Sequence, residues 1–355
     1  MKILFLAPAN SIHTVRWVNA LSEKGNQVLL VSLPNHSETQ NRLHKEVQIE
    51  YLPVRGTKGY YLNAGILKKS ARNFQPDIIN AHYASGYGTL ARIAHLPNVI
   101  LSVWGSDVYD FPYNNRINHY IIKKNLNYAV HLASTSYAMA EQVKRLVGDK
   151  DIIITPFGVD TERFMRFEKD DEDYFTAGII KTLSYKYGID TVIKAFALFA
   201  KKVETTEKVR LLIYGEGEQK AELLELCKQL KIDDKCFFKG YVKNSELPQI
   251  LKNIDVACFG SRLDSESFGV SAVEAMSCEV PVIVTDVDGF KEVVEDKITG
   301  YIVKRDSPDE MAEALEQLYL NKELRFTMGE NGRERVKKLY DWSDNVEIMI
   351  ELYHS

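Results

Sequence analysis

Two glutamates in the second half of the chain have a spacing suited to a ligand that carries both hydroxyl and phosphate groups. Glu266 and Glu274 are separated by seven residues, and a helix is predicted to begin near Gly269. Backbone N–H groups at a helix start form an anion site, whereas a carboxylate accepts hydrogen bonds from hydroxyls and cannot bind phosphate. Two glutamates alone would be typical of an ordinary helix start. Together with the anion site, they match the sugar hydroxyls, pyrophosphate and ribose hydroxyls of a nucleotide sugar.

Two lysines follow the predicted strand Phe175–Ile180 on a single loop. Lys181 and Lys186 are five residues apart, so the two cations can hold a diphosphate from two sides. Glycine turns follow the next two predicted strands, where Gly215 and the segment Gly240–Val242 lie. Such turns also occur for purely structural reasons. The lysine pair is therefore the stronger indication of a phosphate site.

The first half of the chain has polar and aromatic residues directly after its predicted strands. In a parallel sheet the carboxyl ends of the strands meet at one edge, where ligands collect. We therefore expect these residues to face a common ligand, and the alternative for His82 is a loop histidine without a chemical role. They are Asn10, Ser11, His13, His82, Trp104 and Asp107.

Short, continuous apolar runs separated by helical segments are the elements that must position these residues. Continuous runs are typical of strands buried on both faces of a parallel sheet, and strand–helix alternation predicts doubly wound α/β domains. The pattern restarts after Phe164, which predicts two Rossmann-like domains in tandem. The predicted strands are Ile3–Leu6, Val28–Ser32, Ile49–Leu52, Ile78–Asn80, Val99–Ser102 and Ile152–Ile154, then Phe175–Ile180, Val209–Ile213, Cys236–Lys239, Val256–Phe259, Val280–Thr285 and Gly300–Val303.

Composition and charge exclude several classes of protein. The chain has 355 residues and a net charge of −4, which argues against a dedicated nucleic-acid-binding protein. Residues 1–158 carry a net charge of +7 and the remainder −11, which predicts different partners for the two halves. The four cysteines have no zinc-site spacing and fit a reduced compartment. No run reaches the ~18 apolar residues of a membrane span. We therefore expect a cytoplasmic protein without a bound metal.

The segment that contains Glu266 and Glu274 resembles the E-x7-E motif of the retaining family-4 glycosyltransferases of GT-B fold, and the resemblance covers nearly the whole chain. It implies an α/β protein whose two Rossmann-like, doubly wound parallel-sheet domains face each other across a cleft. The expected boundaries are 1–158 for the acceptor-side domain and 159–335 for the nucleotide-sugar domain, with 336–355 as a helix that packs back on the first domain.

The resemblance also implies roles for individual residues. The first glutamate, Glu266, would contact the transferred sugar, and Glu274 would hold the ribose. Lys181 and Lys186 would stabilise the diphosphate, although the family usually has arginine at the position of Lys181. Backbone groups at the start of the helix and in the glycine turns would contact the donor. These are Ser267, Phe268, Gly269 and Val270, with Gly215, Tyr241 and Val242.

The first half departs from the family pattern at two places. Asn10, Ser11 and His13 replace a glycine pair, and Trp104 replaces a histidine that meets the donor sugar in relatives. Tryptophan cannot accept a hydrogen bond. We therefore expect Asp107 or Ser106 to supply the polar contact.

The resulting prediction is a metal-independent hexosyltransferase without a cofactor. It would move a sugar from a nucleotide-diphosphate donor, with UDP favoured, to a glycan or lipid-linked acceptor in cell-surface polysaccharide or glycolipid synthesis. The basic and aromatic segment 58–72 predicts a peripheral contact with an anionic membrane surface. Two alternatives are a nucleotide-sugar 2-epimerase and a non-catalytic sugar-nucleotide-binding protein. A dehydrogenase is unsupported, because no G-x-G-x-x-G follows the first strand.

Overall fold

A computed structural model describes residues 1–37, 43–170, 173–203 and 208–355. The chain divides into two compact units. Unit 1 comprises Met1–Phe157 together with Ser343–Ser355, and unit 2 comprises Gly158–Trp342.

Unit 1 is built on a parallel sheet to which the described residues contribute seven strands, in the order β3-β2-β1-β4-β5-β6-β7. The order reverses between β1 and β4, so these two strands form the switch point of the sheet. The strands are β1 Lys2–Leu6, β2 Gln27–Ser32, β3 Gln48–Tyr51, β4 Ile78–His82, β5 Val99–Val103, β6 His131–Ser134 and β7 Ile152–Ile154.

The helices of unit 1 cover the sheet and bury its apolar residues. Tyr87, Leu90 and Leu101, among others, form one continuous core. The helices are α1 Ile12–Glu23, α2 Gly59–Leu62, α3 Ala64–Phe74, α4 Gly88–Ile93, α5 Ser106–Tyr109, α6 Arg116–Tyr128 and α7 Tyr137–Val147.

Unit 2 repeats this design with a second parallel sheet, to which the described residues contribute six strands in the order β10-β9-β8-β11-β12-β13. Its switch point lies between β8 and β11. The strands are β8 Phe175–Ile180, β9 Val209–Tyr214, β10 Cys236–Gly240, β11 Val256–Phe259, β12 Val282–Thr285 and β13 Gly300–Val303. The helices are α8 Ile189–Lys202, α9 Lys220–Gln229, α10 Leu247–Leu251, α11 Val270–Ser277, α12 Asp288–Val293, α13 Pro308–Leu320 and α14 Lys322–Leu339.

The last helix, α15 (Trp342–His354), contacts the sheet of unit 1. The buried Tyr353 hydroxyl accepts a hydrogen bond of 2.8 Å from the side-chain amide of Asn80 on β4. Burial raises the pKa of Tyr353, so this hydroxyl stays neutral. In the described ranges, no helix is both long and apolar enough to cross a membrane.

The predicted fold class of two Rossmann-like parallel-sheet domains is confirmed. Eleven of the thirteen strands overlap a predicted strand closely, and β12 begins two residues later than expected. Strand β6 was not predicted. Its sequence HLAS has no β-branched residue and is too short to form a clear apolar run. Pairing with β5 and β7 therefore decides its conformation.

Candidate functional site

The loops that follow β8 and β11 bring the predicted donor residues of unit 2 together. These two strands are neighbours at the switch point of their sheet, which is where parallel α/β sheets bind ligands. Lys181 directly follows β8, and Glu266 lies on the loop between β11 and α11. The fold therefore joins two parts of the sequence that are 85 residues apart.

Lys181 and Glu266 form an ion pair at this edge. Lys181 Nζ lies 2.7 Å from Glu266 Oε2, and only 14% and 9% of the two side chains are exposed. The Ser261 hydroxyl donates a longer bond of 3.5 Å to the same carboxylate oxygen. Burying either charge alone would be costly, so the pairing offsets the cost of burying both side chains.

The electrostatics of Lys181 agree with this pairing. Burial is the largest single influence and lowers the pKa of the amine, but the charge and hydrogen bond of Glu266, together with smaller contributions, outweigh burial and the pKa is raised. The hydroxyl of Tyr187 and the carboxylate of Glu274 act in the same direction. Lys181 is therefore a permanent cation within reach of both glutamates.

Lys186 lies on the same loop, in the short helical turn Tyr185–Tyr187. Both lysine amines approach the Tyr187 ring, at 4.8 Å for Lys181 and 5.4 Å for Lys186. The Lys186 carbonyl accepts a hydrogen bond of 2.8 Å from the backbone N–H of Arg262. The aromatic ring therefore links the two cations, and a backbone bond ties their loop to the loop of Glu266.

Helix α11 begins at Val270, one residue after the predicted start, and Gly269 precedes it with φ of +81°. A side chain at Gly269 would meet the Phe290 ring at 2.7 Å, so both conformation and space require glycine. Ser267 and Phe268 are buried at the end of the loop. The helix start thus directs its free N–H groups to the edge that carries Lys181.

Glu274 lies on α11 and is 6% exposed. Its Oε1 atom accepts a hydrogen bond of 2.8 Å from the side-chain amide of Asn244, which follows β10. Tyr241 and Val242 lie on the same loop as Asn244, and 62% of Tyr241 is exposed. Asn244 was not predicted as a site residue, because a lone asparagine before a short helix is typical of a turn.

Gly215 has a structural reason to be glycine. With φ of +139°, a side chain there would meet the carbonyl oxygen of Lys181 at 1.9 Å. The loops after β8 and β9 therefore touch through their backbones. Gly188 is similar, since a side chain there would meet the Gly260 oxygen at 2.0 Å. These contacts hold the lysine loop in place.

Two arginines that the sequence did not single out tie the loops of this edge together. Arg262 pairs with Asp190 at 2.8 Å and with Asp306 at 2.6 Å. Arg305 donates two bonds to Asp264, of 2.6 and 3.2 Å. Bidentate arginine–carboxylate pairs restrict geometry more than a lysine does. Their only sequence signal is a cation within a loop that follows a strand.

The corresponding edge of unit 1 is aromatic. His13 stacks on Phe157 at 3.9 Å between ring centroids, and Trp104 meets both rings edge-on at 5.9 and 5.3 Å. His82, at the end of β4, stacks on Phe5 at 4.2 Å and meets Trp104 at 5.1 Å. The structure therefore assembles His13, His82 and Trp104 into one cluster, as their positions after strands predict.

His82 is buried rather than presented to a ligand. Its ring is 0% exposed, and neither ring nitrogen has a hydrogen-bond partner among the described residues. Burial lowers the pKa of His82 to about 3, so the ring is neutral at physiological pH. His82 is thus enclosed by its neighbours in the structure described, and its expected contact with a ligand stays a prediction.

Asp107 also differs from its predicted role. It is 1% exposed, and its carboxylate accepts backbone hydrogen bonds from Ala84, Trp104 and Gly105 at 2.7, 3.1 and 2.9 Å. Burial raises the pKa of the carboxyl group, and these bonds oppose that shift. In this structure Asp107 ties the loops after β4 and β5 together, and its expected sugar contact stays a prediction.

Asn10 and Ser11 lie in the turn between β1 and α1. The Asn10 backbone N–H donates to the His36 carbonyl at 3.0 Å, and the Ser11 carbonyl accepts from Val15 at 3.1 Å. The Asn10 side chain is exposed, so it is accessible at the carboxyl end of β1. Ser11 precedes α1 but makes no side-chain cap bond.

A cavity of about 870 Å³ lies at the other edge of the unit 2 sheet, near the amino ends of β8, β11 and β12. Its lining includes Lys169, Asp255 and Arg325 but none of the predicted site residues. In the part of the chain that the structure describes, no three histidine, cysteine, aspartate or glutamate side chains are grouped to hold a metal ion.

Comparison with known families agrees with this arrangement. Residues 160–335 match the family model of glycosyl transferases group 1, and residues 2–136 match that of glycosyl transferase 4-like domains. The two matches cover the core of both units. The chain is a GT-B glycosyltransferase.

Individual relatives extend along most of the glycosyltransferase. It is 27% identical over 275 residues to N-acetyl-alpha-D-glucosaminyl L-malate synthase of Bacillus anthracis, which covers 73% of this chain and 70% of the relative. The fold is similar to that of sucrose-phosphate synthase from Thermosynechococcus elongatus, with a TM-score of 0.84, 18% identity and coverage of 99% and 98%. Anabaena HepE, solved with UDP-glucose, gives a TM-score of 0.78 at 18% identity over 100% of both chains.

Proposed function

We propose that unit 2 binds a nucleotide-diphosphate sugar and that the enzyme transfers this sugar, with retention of configuration, to a glycan or lipid-linked acceptor. The observation that carries the proposal is the grouping of Lys181, Glu266 and Glu274 beside the start of α11. The grouping combines a cation and helix amides for a diphosphate with two carboxylates for hydroxyl groups.

Each group has a defined task in the proposed reaction. Breaking the bond between the sugar and the diphosphate leaves an anion on the phosphate and positive charge on the sugar ring. Lys181, Lys186 and the N–H groups before Val270 stabilise the anion where it develops. Glu266 orients the sugar hydroxyls. The Lys181 amine has three N–H donors, so it can keep its bond to Glu266 while it donates to phosphate.

Retention follows from attack on the face that the diphosphate leaves. Glu266 is already paired with Lys181, which weakens it as a nucleophile. We therefore assign the acceptor proton to the leaving phosphate oxygen. The acceptor oxygen forms its bond to the sugar as the sugar–phosphate bond breaks, so atoms and charge balance without a covalent enzyme intermediate.

UDP is the favoured nucleotide of the proposal, and HepE, which was solved with UDP-glucose, supports this choice. Transfer is expected to need neither a cofactor nor a metal, because lysines and helix amides take the charge that a divalent ion would otherwise neutralise. Activity should survive excess EDTA, and an absolute requirement for Mg²⁺ or Mn²⁺ would contradict this part.

We also propose that segment 58–72 contacts an anionic membrane surface from the cytoplasmic side. Tyr61, Leu62 and Ile66 are 43%, 65% and 41% exposed, and Lys69 and Arg72 are exposed on the same segment. Exposed apolar and basic side chains together favour the interface of an anionic bilayer. Such a surface would place a lipid-linked acceptor near the enzyme.

A panel of UDP- and GDP-sugars tests the proposed function. Incubation with the enzyme should give slow hydrolysis of one donor, and a suitable acceptor should accelerate its consumption. The Lys186→Ala variant should lose both reactions, whereas Lys228→Ala, which replaces an exposed lysine of the same unit, should keep them. Epimerisation of the donor would favour a 2-epimerase, and binding without turnover would favour a non-catalytic protein.

A further inference from the structure

Asn244 makes a specific bond to Glu274 across 30 residues of sequence. Its Nδ2 atom donates to Glu274 Oε1 at 2.8 Å. Asn244 begins the turn Asn244–Glu246 that follows β10, whereas Glu274 lies within α11. The bond therefore connects two separate elements of unit 2 at the carboxylate assigned to the donor ribose.

Arg163 holds Asn244 from the other side. Its Nη2 atom donates to Asn244 Oδ1 at 2.8 Å, and the same nitrogen donates to the Asn244 backbone carbonyl. The Arg163 backbone N–H donates to Asp160 Oδ1 at 3.0 Å. A guanidinium group can only donate, and an ionised carboxylate can only accept. The amide between them satisfies both partners in a single orientation, with its oxygen on Arg163 and its nitrogen on Glu274.

This arrangement differs from the pairing of Glu266. Glu266 is bound by the cation Lys181 at 2.7 Å, whereas the amide that holds Glu274 is neutral. A neutral donor restricts the side chain without neutralising it, and the charge of Glu274 also acts on Lys181. A carboxylate offers about four lone-pair sites, so Glu274 can accept further hydrogen bonds from a pair of vicinal hydroxyls.

We propose that Asn244, held by Arg163, is a positioning residue that directs Glu274 at the ribose hydroxyls of the donor and so sets selectivity for ribonucleotides. The inference rests on the proposed function, because it assumes that Glu274 binds the ribose. It adds two residues to the site and explains why the loop after β10 carries an asparagine at this point.

The test compares UDP with 2′,3′-dideoxy-UDP by calorimetric titration. Wild-type enzyme should bind UDP at least about 10-fold more tightly, because hydrogen bonds to a charged group are lost with the hydroxyls. Asn244→Ala should reduce this ratio of affinities several-fold, mainly by weakening the binding of UDP. Asn244→Asp should reduce it further, because a carboxylate facing Glu274 repels it. Arg163→Met should reduce the ratio less than Asn244→Ala.

A matched control is Asn253→Ala. The Asn253 amide also donates to a carboxylate of unit 2, Asp170 Oδ2, at 2.9 Å, so this variant removes a similar bond elsewhere and should keep the wild-type ratio. Thermal unfolding midpoints show whether each variant remains folded. In the Glu274→Ala background, Asn244→Ala should cause no further change in UDP affinity.

Three results separate the two proposals. An unchanged ratio in folded Asn244→Ala, with a lowered ratio in Glu274→Ala, overturns the inference and leaves the proposed function intact. A further loss of UDP affinity in the double variant also overturns it, because Asn244 would then contact the nucleotide directly. Failure of the wild-type enzyme to bind either UDP or GDP would overturn both.

Discussion

The two sheets of this glycosyltransferase use the same edge in different ways. At the carboxyl edge of unit 2, Lys181 and the glutamates lie beside a helix start, where charges pair with one another. At the carboxyl edge of unit 1, His82 and Asp107 are enclosed by aromatic rings and backbone amides. Equivalent positions after a strand therefore form a charged cluster, the proposed donor site, in one unit and an enclosed loop structure in the other.

The type of partner explains the difference. Asp107 is bound by three backbone N–H groups of its own fold, which leaves little capacity for a ligand. The partner of Glu266 is a flexible lysine side chain, which a diphosphate can share. Asp107 therefore supports the fold, whereas the pairing of Glu266 with Lys181 allows exchange with a substrate.

Removal of a unit 2 cation should have the largest effect. Lys186→Ala should lower the rate of transfer by about 10²–10³, the usual loss for one preorganised charge stabiliser. Stability should change little, because the residue lies on a short loop turn. Steady-state kinetics beside Lys228→Ala measure this effect, and near-normal turnover would remove Lys186 from the donor site.

Charge reversal on unit 1 should act on membrane binding alone. Each basic residue near an anionic surface contributes about 1 kcal/mol, so replacing Lys68, Lys69 and Arg72 with Glu should abolish sedimentation with anionic liposomes at low salt. UDP binding should persist. A triple reversal on unit 2 at exposed lysines, Lys228, Lys337 and Lys338, is the control for net charge. Failure of the wild-type enzyme to sediment would instead favour a soluble acceptor.

Substitutions of the two glutamates should have different effects on UDP binding measured by calorimetry. Glu274→Ala should weaken UDP binding by about 1.5–3 kcal/mol, the contribution of hydrogen bonds to a charged group. Glu266→Gln should leave UDP binding nearly intact and impair transfer, and it avoids leaving Lys181 beside an empty space. The opposite result, in which only the Glu266 variant loses UDP, would reverse the two assignments.

The buried histidine of unit 1 predicts a pH effect on stability. Because burial lowers the pKa of His82 to about 3, the unfolded chain takes up a proton below about pH 6.5 that the folded chain excludes. The free energy of unfolding should therefore fall by about 1.4 kcal/mol per pH unit between pH 6 and 4 through this residue. His82→Phe should remove that component of the slope.

The control for this measurement is His354→Phe, which replaces an exposed ring at the end of α15. Its slope of unfolding free energy against pH should match the wild type, because the ring is solvated before and after unfolding. Equal slopes in wild type and His82→Phe would mean that the folded protein accommodates the charged ring. That result would contradict the description of His82 as an enclosed, neutral side chain.

Sequence patterns predicted the elements whose formation depends on the local residue types. The continuous apolar runs predicted most strands, and the glycine before Val270 predicted the start of α11. Strand β6 was missed because its four residues acquire their conformation from neighbouring strands. The joint position of Lys181 and Glu266 was expected from the family resemblance, but their direct ion pair was not.

Contacts between distant loops could not be predicted from one sequence. Asn244 and Arg163 lie 81 residues apart, and nothing in either local segment indicates the other. Asp107 was assigned to a ligand because an acidic residue after a strand is typical of a site, but only the fold shows which amides reach it. Burial likewise decides the state of His82, and burial is a property of the packed domain.

Hydrogen–deuterium exchange with and without UDP can show which sheet edge holds the nucleotide, because it monitors both edges in one experiment. If unit 2 holds the nucleotide as proposed, backbone amides in 181–188 and 261–274 should exchange more slowly when UDP is added, because these loops and the start of α11 form the donor site. Amides in 82–87 and 104–109, at the enclosed edge of unit 1, should exchange at unchanged rates. Protection confined to these unit 1 segments, with none near Glu266, would mean that the nucleotide does not bind at the edge of unit 2.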